Sequence, residues 1–291
     1  VGSEAVRVDR WFAVTAIALL AACGARSSYG ANLGDLPQLP EGPSSVAAAS
    51  RMIFHDEFDG TSLNTKIWYR CFNWADEKAG CKTSPGELEL YQTGNVTVSG
   101  GFLQLTAKHQ NATWKGKTYN FTSGIIQTGG SPANGSTPTF SYTYGYSEVR
   151  AKLPSGNIGM WPSFWLLPAD NSWPPEVDIM EWQGVTPNED QVTLWWNLPN
   201  GDRARVYNTG ASLAAAYHTY GFDWQPSYAD FYFDRKLVLH YTGANVPQKA
   251  MFILINLAIG GWEKGQLKPP VAEFPTTYSV DYVRVWSKRP F

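Results

Sequence analysis

From about residue 51 onward the chain is written almost entirely in short runs of strand-forming residues cut by Gly, Pro, Asn and Asp. The runs are GNVTVSGGFLQLTAKHQ, YGYSEVRAKLP, WPSFWLLP, EVDIMEW, QVTLWWN, HTYGFDWQ, YADFYFDRKLVLHY, MFILINLAIGG and YSVDYVRVW. Each is rich in β-branched and aromatic residues and is bounded by turn formers, the pattern of strands rather than helices. Few stretches show a helical period, and SLAAAYH is at most a short turn. About 240 residues written this way predict one all-β domain, a sandwich of two antiparallel sheets. Several runs carry aromatic or polar residues on both faces, which suits a curved sheet whose concave face is a groove rather than core.

The segment before this domain has a different character. Arg7 and Arg10 precede WFAVTAIALLAAC, an apolar run of export-signal length and too short for a stable bilayer span. It ends in LAACG, which is similar to the lipobox of bacterial lipoproteins, where the cysteine, here Cys23, is lipidated after cleavage. An ordinary secretory signal cut somewhat later is the alternative. Residues 1–22 are therefore read as an export signal of lipoprotein type, 23–50 as a flexible Pro/Gly-rich linker and 51–291 as one folded domain. Both readings place the protein outside a bacterial cell, secreted or on the outer surface. Membrane contact would then come only through a lipid on Cys23. Setting Cys23 aside leaves Cys71 and Cys81, and an oxidising compartment favours a disulfide between them over two free thiols. A net charge of −2 offers no basic footprint for nucleic acid. The 13 Trp and 15 Tyr fit either an aromatic core or a cleft with stacking platforms. A monomer is expected.

One run breaks the alternation rule. WPPEVDIMEWQG holds Glu176, Asp178 and Glu181 inside an otherwise buried strand. Strand side chains alternate faces, so Glu176 and Asp178 share a face opposite Val177 and Ile179. Strict alternation would send Glu181 into the core, and an unpaired buried carboxylate costs several kcal/mol. A one-residue β-bulge at Ile179–Met180 resets the phase and returns Glu181 to the side of the other two acids. Three carboxylates in a row are poor for folding, but a pair of them suits retaining cleavage of a glycosidic bond. A middle acid can hydrogen-bond one Glu and raise the other's pKa. Calcium binding or a plain solvated face are the rival uses of such a row.

With these residues in place, the chain resembles glycoside hydrolase family 16, retaining endo-β-glucanases and β-galactanases on a jelly-roll fold. EVDIME stands as the family's bulged E-x-D-x-x-E. FHDEFDGTSLNTKIW, YGYSEVRAKLPSG, GMWPSFWLLP, FILINLAIGGWEKG and VDYVRVW fit around it in the family's order. The resemblance implies Glu176 as nucleophile, Glu181 as acid/base and Asp178 as assisting acid, acting on a laminarin-like β-1,3- or β-1,3-1,4-glucan without a catalytic cofactor. The bulged form weighs against a strict lichenase. Trp195 stands where many laminarinase-like members carry a His, which puts an aromatic platform in place of a charge-capable group. Galactan or exopolysaccharide cleavage and glucan transglycosylation are the alternatives.

The same resemblance, with the alternation of each run, nominates the cleft lining. Trp161 and Trp165 share a face, and Trp195 and Trp196 point oppositely, Trp195 to the groove and Trp196 to the core. Trp262 follows Gly260–Gly261 on a loop near the donor subsites. Asn256 interrupts an apolar run, and its amide needs partners if buried. Glu87 and Arg150 are further contacts for sugar hydroxyls. A structural calcium site on the convex face would use Glu57, Asp281 and carbonyls near Gly101. Core packing is the competing reading for each Trp.

Overall fold

The structure is a computed structural model that describes residues 49–75, 81, 86–131, 135–155, 158–197, 201–260 and 269–291. The export signal, Cys23, nearly all of the linker and Trp262 lie outside these residues. Within them the chain is β throughout. In chain order the strands are β1 (Met52–Asp56), β2 (Glu89–Tyr91), β3 (Val96–Ser99), β4 (Phe102–Trp114), β5 (Lys117–Ser123), β6 (Ile125–Gln127), β7 (Gly145–Lys152) and β8 (Met160–Pro168). They continue as β9 (Glu176–Glu181), β10 (Glu189–Asn197), β11 (Gly201–Asn208), β12 (His218–Gln225), β13 (Tyr228–Phe233), β14 (Lys236–Thr242), β15 (Met251–Ile259) and β16 (Thr276–Trp286).

Two sheets form the sandwich. The larger runs β14-β13-β12-β7-β16-β4-β5-β2, with β1 added on β16 and β3 on β4. The smaller runs β11-β10-β9-β8-β15-β6. The pairings are antiparallel as expected, except that β2 runs parallel to β5. Between the sheets, Phe164 and Leu166 of β8, Val177 of β9, Val192 and Leu194 of β10 and Ile253, Ile255 and Leu257 of β15 belong to one core with Leu103 and Leu105 of β4, Val149 of β7, Phe222 of β12 and Val283 of β16. Burying large aliphatic and aromatic groups of this kind stabilises by about 1.5–3 kcal/mol each.

β15 is buried along its whole length because both of its faces are covered. Phe252 and Leu254 belong to a second apolar cluster with Cys71, Phe72, Cys81, Tyr91, Ile125 and Leu167. This cluster lies on the outer face of the smaller sheet, under the loop closed by the Cys71–Cys81 disulfide. Cys71, Phe72, Ala75 and Cys81 thus pack over the β15–β6 end of that face.

β1, β2, β5, β6 and β11 fall outside the runs picked out by pattern, β1 entering only through the segment FHDEFDGTSLNTKIW quoted for the resemblance. β2 and β6 are three residues each, too short to show a period. β5 and β11 are largely polar, and β11 lies at a sheet edge with much of one side in solvent.

The two carboxylates named for a calcium site are ion-paired in the larger sheet. Glu57 is held by the Arg284 guanidinium through two bonds, Nε to Oε1 at 2.9 Å and Nη2 to Oε2 at 2.7 Å. Asp281 accepts instead from Arg150. Each carboxylate thus has its own arginine partner. Gly100 and Gly101 form the two-residue turn between β3 and β4, with φ of 62° and 81°. Positive φ at both positions is what such a hairpin requires, and this accounts for the two glycines. Among the described residues no group of three or more His, Cys, Asp or Glu could hold a metal ion.

Candidate active site

The acid row is built by a break in the ladder. Across to β8, Asp178 pairs with Trp165 and Met180 with Phe164, so Ile179 is the extra residue. Across to β10, Asp178 pairs with Thr193 and Glu181 with Gln191, three steps on β9 against two on its partner. Ile179 and Met180 are both buried in the inter-sheet core. Glu176 and Glu181 stay half-buried on the outer face of the smaller sheet, with Asp178 between them at 3% exposure.

Around this row the neighbouring strands present indoles. Trp195 pairs in register with Glu176, and its Nε1–H donates to Asp178 Oδ2 at 3.0 Å. Trp196 points the other way, against the core, and stacks on Tyr241 with ring centroids 5.3 Å apart. Trp173, on the proline turn that leads into β9, donates its Nε1–H to Glu176 Oε2. Trp161 lies close enough to Glu181 for its indole to favour the charged form of that acid. Trp165 donates to Asn256 Oδ1 at 2.8 Å, and Asn256 in turn donates to the Tyr91 hydroxyl at 3.0 Å. Asn256 is buried, and both ends of its amide are satisfied. Glu87 is half-buried nearby, and its charge acts on Tyr91.

The electrostatics separate the three acids. Burial raises Asp178 well above the usual carboxylate range, and the charges of Glu181 and Glu176 raise it further, against the Trp195 hydrogen bond. Burial and the two flanking glutamates thus favour the protonated form of Asp178. Glu176 is raised by burial, but the bonds from Trp173 and Asp178 favour its charged form. Glu181 is pushed to about 8 by burial, by Glu176 and by Asp190, against the Trp161 indole and the bond from Asp178. The hydrogen bond from Trp173 favours charge on Glu176, whereas burial and the charges of Glu176 and Asp190 favour the proton on Glu181, a difference of environment of the kind that acid–base chemistry uses.

Arg150 is not part of this surface. It lies on β7 in the larger sheet, where it pairs with Asp281 and stacks over Tyr217. Val149 and Ala151 face the core, so alternation sends Arg150 outward from the opposite sheet. Two features of the site escaped the pattern analysis. One is Trp173, whose signal was an indole three residues before Glu176 on a Pro-Pro turn. The other is Trp74, 52% exposed on the disulfide loop and stacked on Phe72 with centroids 4.6 Å apart. Phe72 in turn lies 6.0 Å from Trp165, which ties the loop to the cleft wall.

The model for glycosyl hydrolases family 16 matches residues 90–284, a span that contains the acid row, the whole smaller sheet and most of the larger one. The chain belongs to glycosyl hydrolase family 16. Among family relatives, endo-1,3-1,4-β-glycanase ExsH of Rhizobium meliloti is 33% identical over 249 residues, 80% of this chain and 51% of that protein. The chain thus spans about half the length of that relative. A β-glucanase of Rhodothermus marinus is 28% identical, over 81% of this chain and 84% of that one. The X-ray structure of endo-β-1,3-glucanase from Pyrococcus furiosus superposes with a TM-score of 0.68 at 28% identity, covering 82% of this chain and 94% of that one.

Proposed function

We propose that this family 16 chain is a retaining endo-hydrolase of β-1,3- or β-1,3-1,4-glucan. The observation that carries the reading is the bulged row of Glu176, Asp178 and Glu181 on one indole-lined face. In the first step the Glu181 carboxyl gives its proton to the glycosidic oxygen while the Glu176 carboxylate attacks the anomeric carbon. The glycosidic bond breaks and a glycosyl ester forms on Glu176. In the second step Glu181, now a carboxylate, takes a proton from water as its oxygen attacks the same carbon and Glu176 leaves. Two inversions give net retention. Asp178 keeps the proton between them and hydrogen-bonds both glutamates, which favours the ionised form of Glu176. Trp161, Trp165 and Trp195 supply flat apolar faces for sugar rings, and Glu87 supplies an acceptor for hydroxyls. No cofactor is needed for this chemistry.

The names of the relatives support a β-glucan as substrate. Trp195, in place of the histidine seen in many laminarinase-like members, favours testing other polymers beside laminarin. A panel of laminarin, lichenan, agarose, κ-carrageenan and succinoglycan, with product size followed over time, separates glucanase from galactanase, exopolysaccharide depolymerase and transglycosylase. Glu176→Ser is expected to abolish hydrolysis with the circular dichroism spectrum unchanged. Proton NMR of the wild-type reaction should show the β-anomer first; initial release of the α-anomer would overturn the mechanism. The apolar run ending in LAACG and the Cys71–Cys81 disulfide support export, either with lipid attachment at Cys23 or through an ordinary secretory signal.

A further inference from the structure

Beneath the acid row lies a fourth carboxylate that the proposed chemistry leaves unused. Asp190 of β10 is 2% exposed, on the core side of the strand, next to Gln191, which pairs with Glu181. Its Oδ1 accepts the backbone N–H of Glu181 at 3.2 Å, and its Oδ2 accepts the Tyr207 hydroxyl at 2.7 Å. That backbone N–H lies at the far end of the bulge, where the regular ladder is interrupted. A buried acid normally needs a cation or becomes neutral. The groups that favour the charged form of Asp190 are the Tyr207 hydroxyl and the N–H groups of Gln191 and Glu181, none of them a cation.

We propose that Asp190 is a positioning residue for Glu181: it fixes the amide at the end of the bulge, and its charge sets the pH at which the Glu181 carboxyl loses its proton. The inference rests on the role given to Glu181 above. The ionisable groups around the pair are few. Glu181 faces Asp178 and Glu176 along β9 and Asp190 from β10. Asp190 faces Tyr207 of β11, while Tyr220 of β12 and Tyr278 of β16 also feel its charge. Asp234 acts on Tyr207 and Tyr220 and is itself paired with His218. Burial pushes Asp190 up to about 7, below the value of about 8 held by Glu181. The negative charge of ionised Asp190 favours the proton on Glu181. Two like charges so close cannot form cheaply, so the pair titrates as one coupled system.

The test is a carboxyl 13C NMR titration of Glu181, assigned with Glu181→Gln, alongside the pH profile of kcat/KM on the glucan that the panel identifies. In Asp190→Asn the amide oxygen can still accept from Glu181 but the charge is gone. Glu181 should then titrate lower by about one pH unit, and the alkaline limb of the profile should move with it. Tyr207→Phe removes a bond that favours ionised Asp190, so it should shift Glu181 the same way by less; it also serves if Asp190→Asn does not fold. An unmoved Glu181 in folded Asp190→Asn, or in Tyr207→Phe where only that variant folds, overturns the proposal. A shifted NMR titration in a protein that cleaves no polymer overturns the glucanase reading and leaves the coupling standing.

Discussion

Trp195 and Trp196 are adjacent, chemically identical and assigned opposite work by a half-turn of the strand. The Trp195 indole is half-buried and its N–H goes to Asp178, so its removal acts on the chemistry. A hydrogen bond to an acid that shares charge contributes about 1.5–3 kcal/mol, so Trp195→Ala should lower kcat/KM by roughly 10- to 100-fold. Trp195→His, which keeps a ring N–H, should recover part of that loss, read by initial rates on laminarin. Trp196 is also half-buried, stacked on Tyr241 at the margin of the core. Because it is not fully enclosed, Trp196→Ala should cost about 1–3 kcal/mol in urea unfolding, less than the ~3–5 of a fully buried aromatic. The reverse pattern, an unfolded Trp195→Ala and a merely slow Trp196→Ala, would mean that the faces of β10 are exchanged.

At the scale of elements the decisive object is the bulge in β9. Ile179 is its extra residue and is 1% exposed. Deleting Ile179 would leave Glu-Val-Asp-Met-Glu, a strictly alternating strand with the three acids still on one face. The variant should fold with one large core side chain fewer, at a cost of about 2–5 kcal/mol, and should keep measurable hydrolysis. Deleting Val177 instead turns Glu176 against Asp178 and Glu181 and should leave no activity at all. Melting temperature and reducing-sugar release on the two deletions separate the role of the bulge in phase from its role in packing. The bulge itself could be read from spacing alone, because a carboxylate in the core is far costlier than one irregular residue. The indole of Trp173 on Glu176 could not, because it depends on how a loop returns over its own strand.

For the whole molecule the buried acids determine how stability depends on pH. Glu181 rises from 4.5 to about 8 and Asp190 from 3.8 to about 7, so each binds its proton more tightly in the folded chain than in the unfolded one. Between about pH 4 and about pH 8 the native state then holds more protons, and their contribution to stability is lost as pH rises through that window. Groups of the opposite sign act at lower pH. Arg284 holds Glu57 below its ordinary value, and Lys249 with Ser172 holds Asp170 down to about 2. Their contribution is present above the ordinary carboxylate range and is lost only as pH falls through the lowered values. The melting temperature should therefore be highest near pH 4–5 and decline towards pH 8. Glu181→Gln should flatten the decline in differential scanning calorimetry; a wild-type melting temperature that rises from pH 5 to pH 8 would contradict these assignments.

The sequence by itself determined which side of each strand a residue faces. Alternation separated Trp195 from Trp196, the longer gap in EVDIME required a bulge, and cysteine arithmetic paired Cys71 with Cys81. These are local consequences of a period of two, of the cost of burying charge and of counting. Only the tertiary structure decided which sheet a strand joins and which distant partner meets a given face. Arg150 alternates outward from the larger sheet and reaches Asp281, 131 residues away, rather than a sugar. Glu57 meets Arg284 across 227 residues, a pairing that no local pattern announces. Asp190 lies beneath Glu181 because two strands pair across a broken ladder. A one-dimensional pattern specifies a face, whereas an ion pair or a coupled acid depends on the packing of neighbours brought together only when both sheets have formed.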